Sequence, residues 1–193
     1  MQEQDSTVEQ AWEAIGRWYA APGAEEACLT LQGRAGLSVT TMLALLWLAA
    51  DDQGAVHPAG LLALDGAAAY QQQVLVPLRQ ARRGLKAWVE QLGAPATELR
   101  QALMRYELDA ERLDLLLVLQ ALAPEACRTR TGDPCGDACL SMARYLQAAG
   151  VNPDDAGLRQ QLVRLLCVVL EDYDSLQVEA VLRLALKQAR QEQ

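Results

Sequence analysis

The chain has 193 residues, a mass of 21.0 kDa, 51% apolar and 22% charged residues, and a formal charge of −8 with a pI near 4.7. It is too apolar to be disordered, and its acidic balance excludes broad attachment to nucleic-acid phosphates, which needs a net or localised positive surface. Phe is absent and aromatic residues make up 5%, so leucine and alanine fill the interior; both are strong helix formers and predict an all-α fold.

Ser6-Thr7-Val8-Glu9 reads as a capping box opening a first helix. Val8, Ala11, Trp12, Ile15, Trp18 and Tyr19 recur in it at three- and four-residue steps, and it should stop before Pro22. Pro22 suits the first turn of a second helix, which carries Glu25 and Glu26 at its positive end and breaks across 33–36. Ser38 caps a third helix in which 42–50 is an unbroken apolar run. At about 1.5 Å per residue the run is too short to span a bilayer and suits a helix surrounded by others. Residues 51–58 read as a loop, Pro58 as the start of a short helix, and Gly66 as weakening or ending it.

From Tyr70 onward, Val74, Leu78, Ala81, Leu85, Trp88 and Leu92 form a heptad-like seam, with a kink expected at Pro77. Gly93-Ala94-Pro95 ends it. Leu99, Leu103, Tyr106, Ala110, Leu113 and Leu117 repeat the spacing, so 70–122 reads as an antiparallel helical hairpin. Residues 123–136 lack an apolar period and read as a linker. Beyond them Asp137 should cap one helix, Leu158, Leu162, Leu165, Leu166 and Val169 mark another, and Ser175 should cap the last. The expected architecture is an irregular helical bundle: a domain over 6–122 with a central apolar helix and the long hairpin, then a three-helix lobe over 137–191.

No apolar run approaches the about 20 residues of a membrane span, and the amino terminus lacks a basic start and apolar core; no membrane association and a cytoplasmic location are expected. Five cysteines, an odd number, fit reduced thiols better than a disulfide framework.

Two groups of residues are candidate sites. Arg79, Arg82, Arg83 and Lys86 fall at i, i+3, i+4 and i+7 and form a basic stripe suited to an acidic partner segment; Glu98, Glu107, Asp109, Glu111 and Asp114 on the next helix are its alternative, internal partners. Cys135 and Cys139 form a Cys-x-x-x-Cys pair, with Cys139 placed in the first turn of a helix, where the dipole lowers a thiol pKa and Asp137 opposes it. With Cys127 they fall short of a zinc set, so no metal or other cofactor is assigned. His57, the single histidine, reads as a loop residue, and Trp12, Trp18, Trp47 and Trp88 as core packing.

Trp18-Tyr19-Ala20-Ala21-Pro22-Gly23, Glu26-Ala27-Cys28-Leu29-Thr30-Leu31-Gln32, Leu45-Leu46-Trp47-Leu48-Ala49, Val76-Pro77-Leu78-Arg79 and Arg82-Arg83-Leu85-Lys86 together resemble a proteobacterial family known as a domain of unknown function. The resemblance covers about 12–88 and implies a small helical bacterial protein with no assigned reaction. Family members carry an acidic residue, Val and Asn before the apolar helix, where this chain has Ser38-Val39-Thr40.

No nucleophile, base, metal set or phosphate loop stands at a diagnostic spacing. The sequence therefore reads as a non-catalytic helical binding or adaptor protein, engaging a protein partner or its own copies through the stripe or an apolar groove. The alternatives are a thiol-dependent enzyme or redox switch at Cys135 and Cys139, and nucleic-acid contact through the stripe, which the net charge disfavours.

Overall fold

The computed structural model describes residues 2–124 and 127–192. Helix α1 (Gln2–Ala20) begins upstream of the expected capping box, so Ser6 lies inside it; the helix formers ahead of Ser6 extend the coil past the cap. It ends before Pro22, which sits in the turn leading to α2 (Ala24–Ala35). Ser38 then caps α3 (Val39–Ala50) as its sequence demands, its hydroxyl oxygen accepting the Thr41 N–H at 3.2 Å. Every residue of 41–49 is buried, because α1, α2, α7, α8 and α9 all pack around this helix.

The expected loop after α3 holds a short strand, β1 (Ala55–Val56), paired antiparallel with β2 (Arg128–Thr129) inside the expected linker; residues 125–126 of that linker lie outside the described residues. Gly54 allows the pairing. Its φ is +92°, and a Cβ there would stand 2.5 Å from the Thr129 carbonyl oxygen.

After α4 (Pro58–Leu62), helix α5 (Asp65–Tyr70) runs through Gly66, which ends nothing, into a π-helical turn (Gln71–Leu75) and then α6 (Val76–Leu92). The π turn stands where a kink was expected. Pro77 has no N–H and its ring crowds the carbonyl four residues back, and the coil answers by widening the preceding turn. Gly93, at φ 63° and ψ −133°, reverses the chain into α7 (Ala94–Leu122), which returns antiparallel along α6.

Helix α8 (Pro134–Ala148) is capped by Asp133, whose carboxylate accepts the Cys135 N–H at 3.1 Å; Asp137, the expected cap, is buried one turn further in. Asp155 caps α9 (Ala156–Val169), and Asp174, one residue before the expected Ser175, makes a capping box with Gln177 at the start of α10 (Ser175–Gln191). Helix α8 is a second central helix, packed against α3, α4, α10 and β1, while α9 lies on α2. One apolar cluster joins α1–α4, Ala67 of α5, the end of α7 and α8–α10; α6 contributes no buried residue to it, and α7 only from Leu115 onward. The fold is all-α, and among the described residues no helix is long and apolar enough to cross a membrane.

Candidate functional site at the root of the hairpin

The basic stripe of α6 divides in two. Arg79 and Arg82 turn toward α7. Arg79 reaches Glu107 at 3.3 Å and Glu111 at 2.5 Å, and Arg82 grips Glu107 through Nε and Nη2 at 2.5 and 3.2 Å. Glu107 is buried, so these contacts sit in low dielectric where charge-assisted hydrogen bonds are strong. Arg83 and Lys86 are exposed and have no ion-pair partner among the described residues.

One turn below the ion pairs lies a polar cluster that sequence spacing does not reveal. Asp114 of α7 has no exposed surface, and both its oxygens accept from the Gln71 amide nitrogen at 3.0 Å. The same nitrogen donates to the Ser38 hydroxyl at 2.8 Å, and Thr40 also hydrogen-bonds Asp114. Burial pushes the Asp114 carboxyl above the usual carboxylate range; the bonds from Gln71 and Thr40 and the charge of Arg79 pull the other way. Tyr70 and Tyr145 lock the neighbourhood: the Tyr70 hydroxyl donates to the Ala110 carbonyl at 3.2 Å, and the Tyr145 oxygen accepts the Ser38 N–H at 3.0 Å. A cavity of about 250 Å³ opens between the start of α3, the π turn and α6.

Parts of the two predicted seams form the hairpin's outer flank, while Ala110 is buried and Leu78, Leu85, Leu103 and Leu117 are half-buried. Helices turn about 100° per residue, and Arg82 and Glu107 face each other across the pair. From that reference Trp88 and Leu92 on α6 fall on the same side as Leu99, Tyr106 and Leu113 on α7, and each of these five is 52–63% exposed. Trp88 is thus not core, unlike Trp47 at 5% exposure; the ion pairs take the inner face that the seams were expected to fill.

The cysteine pair lies far from the hairpin, inside α8. Cys135 and Cys139 are fully buried, hydrogen-bonded to each other and unbridged. Because α8 starts at Pro134, Cys139 is in its second turn, and burial drives both thiols above their ordinary pKa, most strongly Cys139. Such a thiol is a poor nucleophile. Cys127 instead packs against Gly60, and among the described residues no three metal-ligating side chains converge. His57 caps α4, and its ring bonds the Thr129 hydroxyl at the end of the small sheet.

A second buried polar stripe serves that sheet. Asp137, Ser141 and Arg144 of α8 fall at four- and three-residue steps: Asp137 accepts from the Thr131 hydroxyl at 2.8 Å, Ser141 from the Val56 N–H at 2.9 Å, and Arg144 donates to the Val56 carbonyl at 2.9 Å. Arg144 also holds Glu192 bidentately at 2.7 and 2.6 Å, which keeps the Glu192 carboxyl below its usual range. Polar residues at helical spacing on an otherwise apolar helix were the available signal for this stripe.

No curated protein and no solved structure matches the chain. A family described as Protein of unknown function (DUF2390) matches residues 10–118, a wider stretch than the resemblance at 12–88 and one that takes in α6 and most of α7. The match spans more than half of the 193 residues and contains the stripe, the π turn, Asp114 and the exposed flank, and the chain belongs to this family.

Proposed function

We propose that the protein is a non-catalytic helical binding protein, an adaptor that docks through its α6–α7 hairpin, and that a second copy of the chain covers the exposed flank. One observation carries the reading: α6 is strongly amphipathic, yet it buries none of its residues. An amphipathic helix usually hides its apolar stripe, and an open stripe of this kind marks an interaction surface.

The chemistry of the flank favours a second copy. The exposed seam residues Trp88, Leu92, Leu99, Tyr106 and Leu113 are all uncharged, so two chains of charge −8 bring no like charges together at these positions. The apolar residues repeat at seven-residue steps on both helices (Leu78, Leu85 and Leu92; Leu99, Tyr106 and Leu113), which suits two hairpins packing as a four-helix bundle at about 20°. Each copy brings on the order of 500 Å² of apolar surface, and with its rim the pair reaches the roughly 1,200 Å² at which stable interfaces begin. Nucleic acid is the weaker partner, since only Arg83 and Lys86 of the stripe are left unpaired among the described residues. A reducing, cytoplasmic location fits the five free cysteines.

Sedimentation velocity tests the reading. The expected result is a dimer at micromolar concentration that becomes a monomer in the Trp88→Glu/Tyr106→Glu variant with its helical circular dichroism retained. A wild-type chain that stays monomeric at about 100 µM overturns the second copy as occupant. A variant that remains dimeric moves the interface elsewhere and overturns the hairpin's role.

A further inference from the structure

The cavity at the root of the hairpin is separate from the exposed flank. Its volume of about 250 Å³ lies below the ~300–1,000 Å³ of drug-sized pockets, and at ~30 Å³ per water it holds about eight water-sized groups. The π turn builds its wall: the widened coil puts Gln71, Gln72, Leu75 and Val76 on one side. A π turn within an α-helix is frequent at functional sites.

The polar groups facing the cavity differ in how far they are satisfied. Arg79 is occupied by Glu107 and Glu111, and Asp114, which borders the cavity, has no exposed surface and both oxygens already hydrogen-bonded by Gln71. A cationic ligand therefore finds no unpartnered carboxylate to meet. Arg83 is the lining cation without a partner, and the side-chain amides of Gln32, Gln72 and Gln80 make no hydrogen bond within the described residues.

The Asp114 carboxylate also decides which way Gln71 faces. An ionised carboxylate accepts only, so it holds the amide nitrogen inward, where both N–H groups are used on Asp114 and Ser38. The Gln71 carbonyl oxygen is left without a protein donor, as an acceptor beside the cavity. The Ser38 oxygen accepts from both Thr41 and Gln71, which leaves its proton to donate. A complementary ligand presents an oxyanion to Arg83 and an O–H or N–H to Gln71.

We infer that this cavity, lined by Arg83, Gln71, Gln32, Gln72, Gln80 and Ser38, binds a small organic carboxylate that also carries a hydroxyl or amino group. The inference does not depend on dimerisation, and its failure leaves the hairpin reading intact.

Backbone amide NMR of the full chain tests it, with citrate and L-glutamate as the hydroxyl- and amino-bearing probes. Succinate and inorganic phosphate are the controls, all at matched ionic strength. The expected result is saturable shifts in 36–40 and 71–83 with citrate or glutamate, weakened at least about tenfold by Arg83→Gln and unchanged by Lys86→Gln, which removes the other unpaired cation outside the cavity. No saturation by either probe up to about 10 mM, equal binding of succinate or phosphate, or an Arg83→Gln chain that binds as before would each overturn the assignment.

Discussion

Helices α6 and α8 have similar lengths, 17 and 15 residues, and both carry an apolar period, yet α8 buries ten residues and α6 buries none. The difference lies in their neighbours. Helix α8 is enclosed by α3, α4, α10 and β1, and even its Asp137, Ser141 and Arg144 are inside because Thr131, the Val56 backbone and Glu192 supply their hydrogen-bond partners. Helix α6 meets α7 along one side, and that side is taken up largely by arginine–glutamate pairs. Periodicity announces that a helix has an interface; the rest of the fold decides whether the chain itself fills it.

Arg144 is where the buried helix is most easily broken. Arg144→Ala strands the Val56 carbonyl and unpairs Glu192, and the loss should be about 3 kcal/mol in urea unfolding. This is the low end for breaking a buried pair, because Glu192 keeps 27% of its side-chain exposure. The linkage has a definite sign. Arg144 depresses the folded pKa of Glu192, so its contribution is present above the unfolded value near ~4.3 and is lost as pH falls through the folded value. Glu192→Gln should flatten that acid limb.

The hairpin's inner face should respond next. Glu107 serves both Arg79 and Arg82, so Glu107→Gln leaves two half-buried guanidiniums without their shared charge and should cost about 2 kcal/mol. If the loss is near zero, the pairs are only a solvated fringe and the division between inner and outer face fails.

Much of this was legible in the chain. The all-round apolar run after Ser38 announced a central helix, and the acids of α7 were visible partners for the stripe. The elements that escaped notice had local reasons to do so. Two-residue strands are too short to show a period, and the Ser6 box was overridden by helix formers upstream of it. Aspartates next to or shortly before the expected caps took the ends of α8 and α10. The seams had the right spacing, but spacing does not fix rotation, and the arginine–glutamate pairs turned Trp88 and Tyr106 outward. The cavity's key cluster joins Gln71 to Ser38 and Asp114 across 33 and 43 residues, so no linear motif could show it.

Asp114 gives a smaller effect, opposite in sign to that of Glu192. Burial raises its folded pKa above the unfolded value, so the folded chain holds the proton longer. Its ionisation therefore removes stability as pH rises from about 3.9 through the folded value. Asp114→Asn keeps one acceptor for Gln71 and should abolish this slope in urea midpoints taken between about pH 4 and 7. An unchanged slope would place the titration on another group.

The smallest change is expected on the outer flank, where the contrast with α8 is sharpest. Leu92 is 59% exposed and lies outside the core cluster, so Leu92→Ser removes little packing within one chain. Its unfolding free energy in dilute solution should stay within about 0.5 kcal/mol of the parent, as for surface substitutions away from special features. Concentration then separates the two roles of the residue. If a second copy covers the flank, the parent's melting temperature rises with protein concentration by mass action, and Leu92→Ser should weaken that rise while leaving the dilute value alone. A loss of stability already present at high dilution would mean that Leu92 is packed within its own chain, and α6 would then resemble α8 more closely than its exposed face indicates.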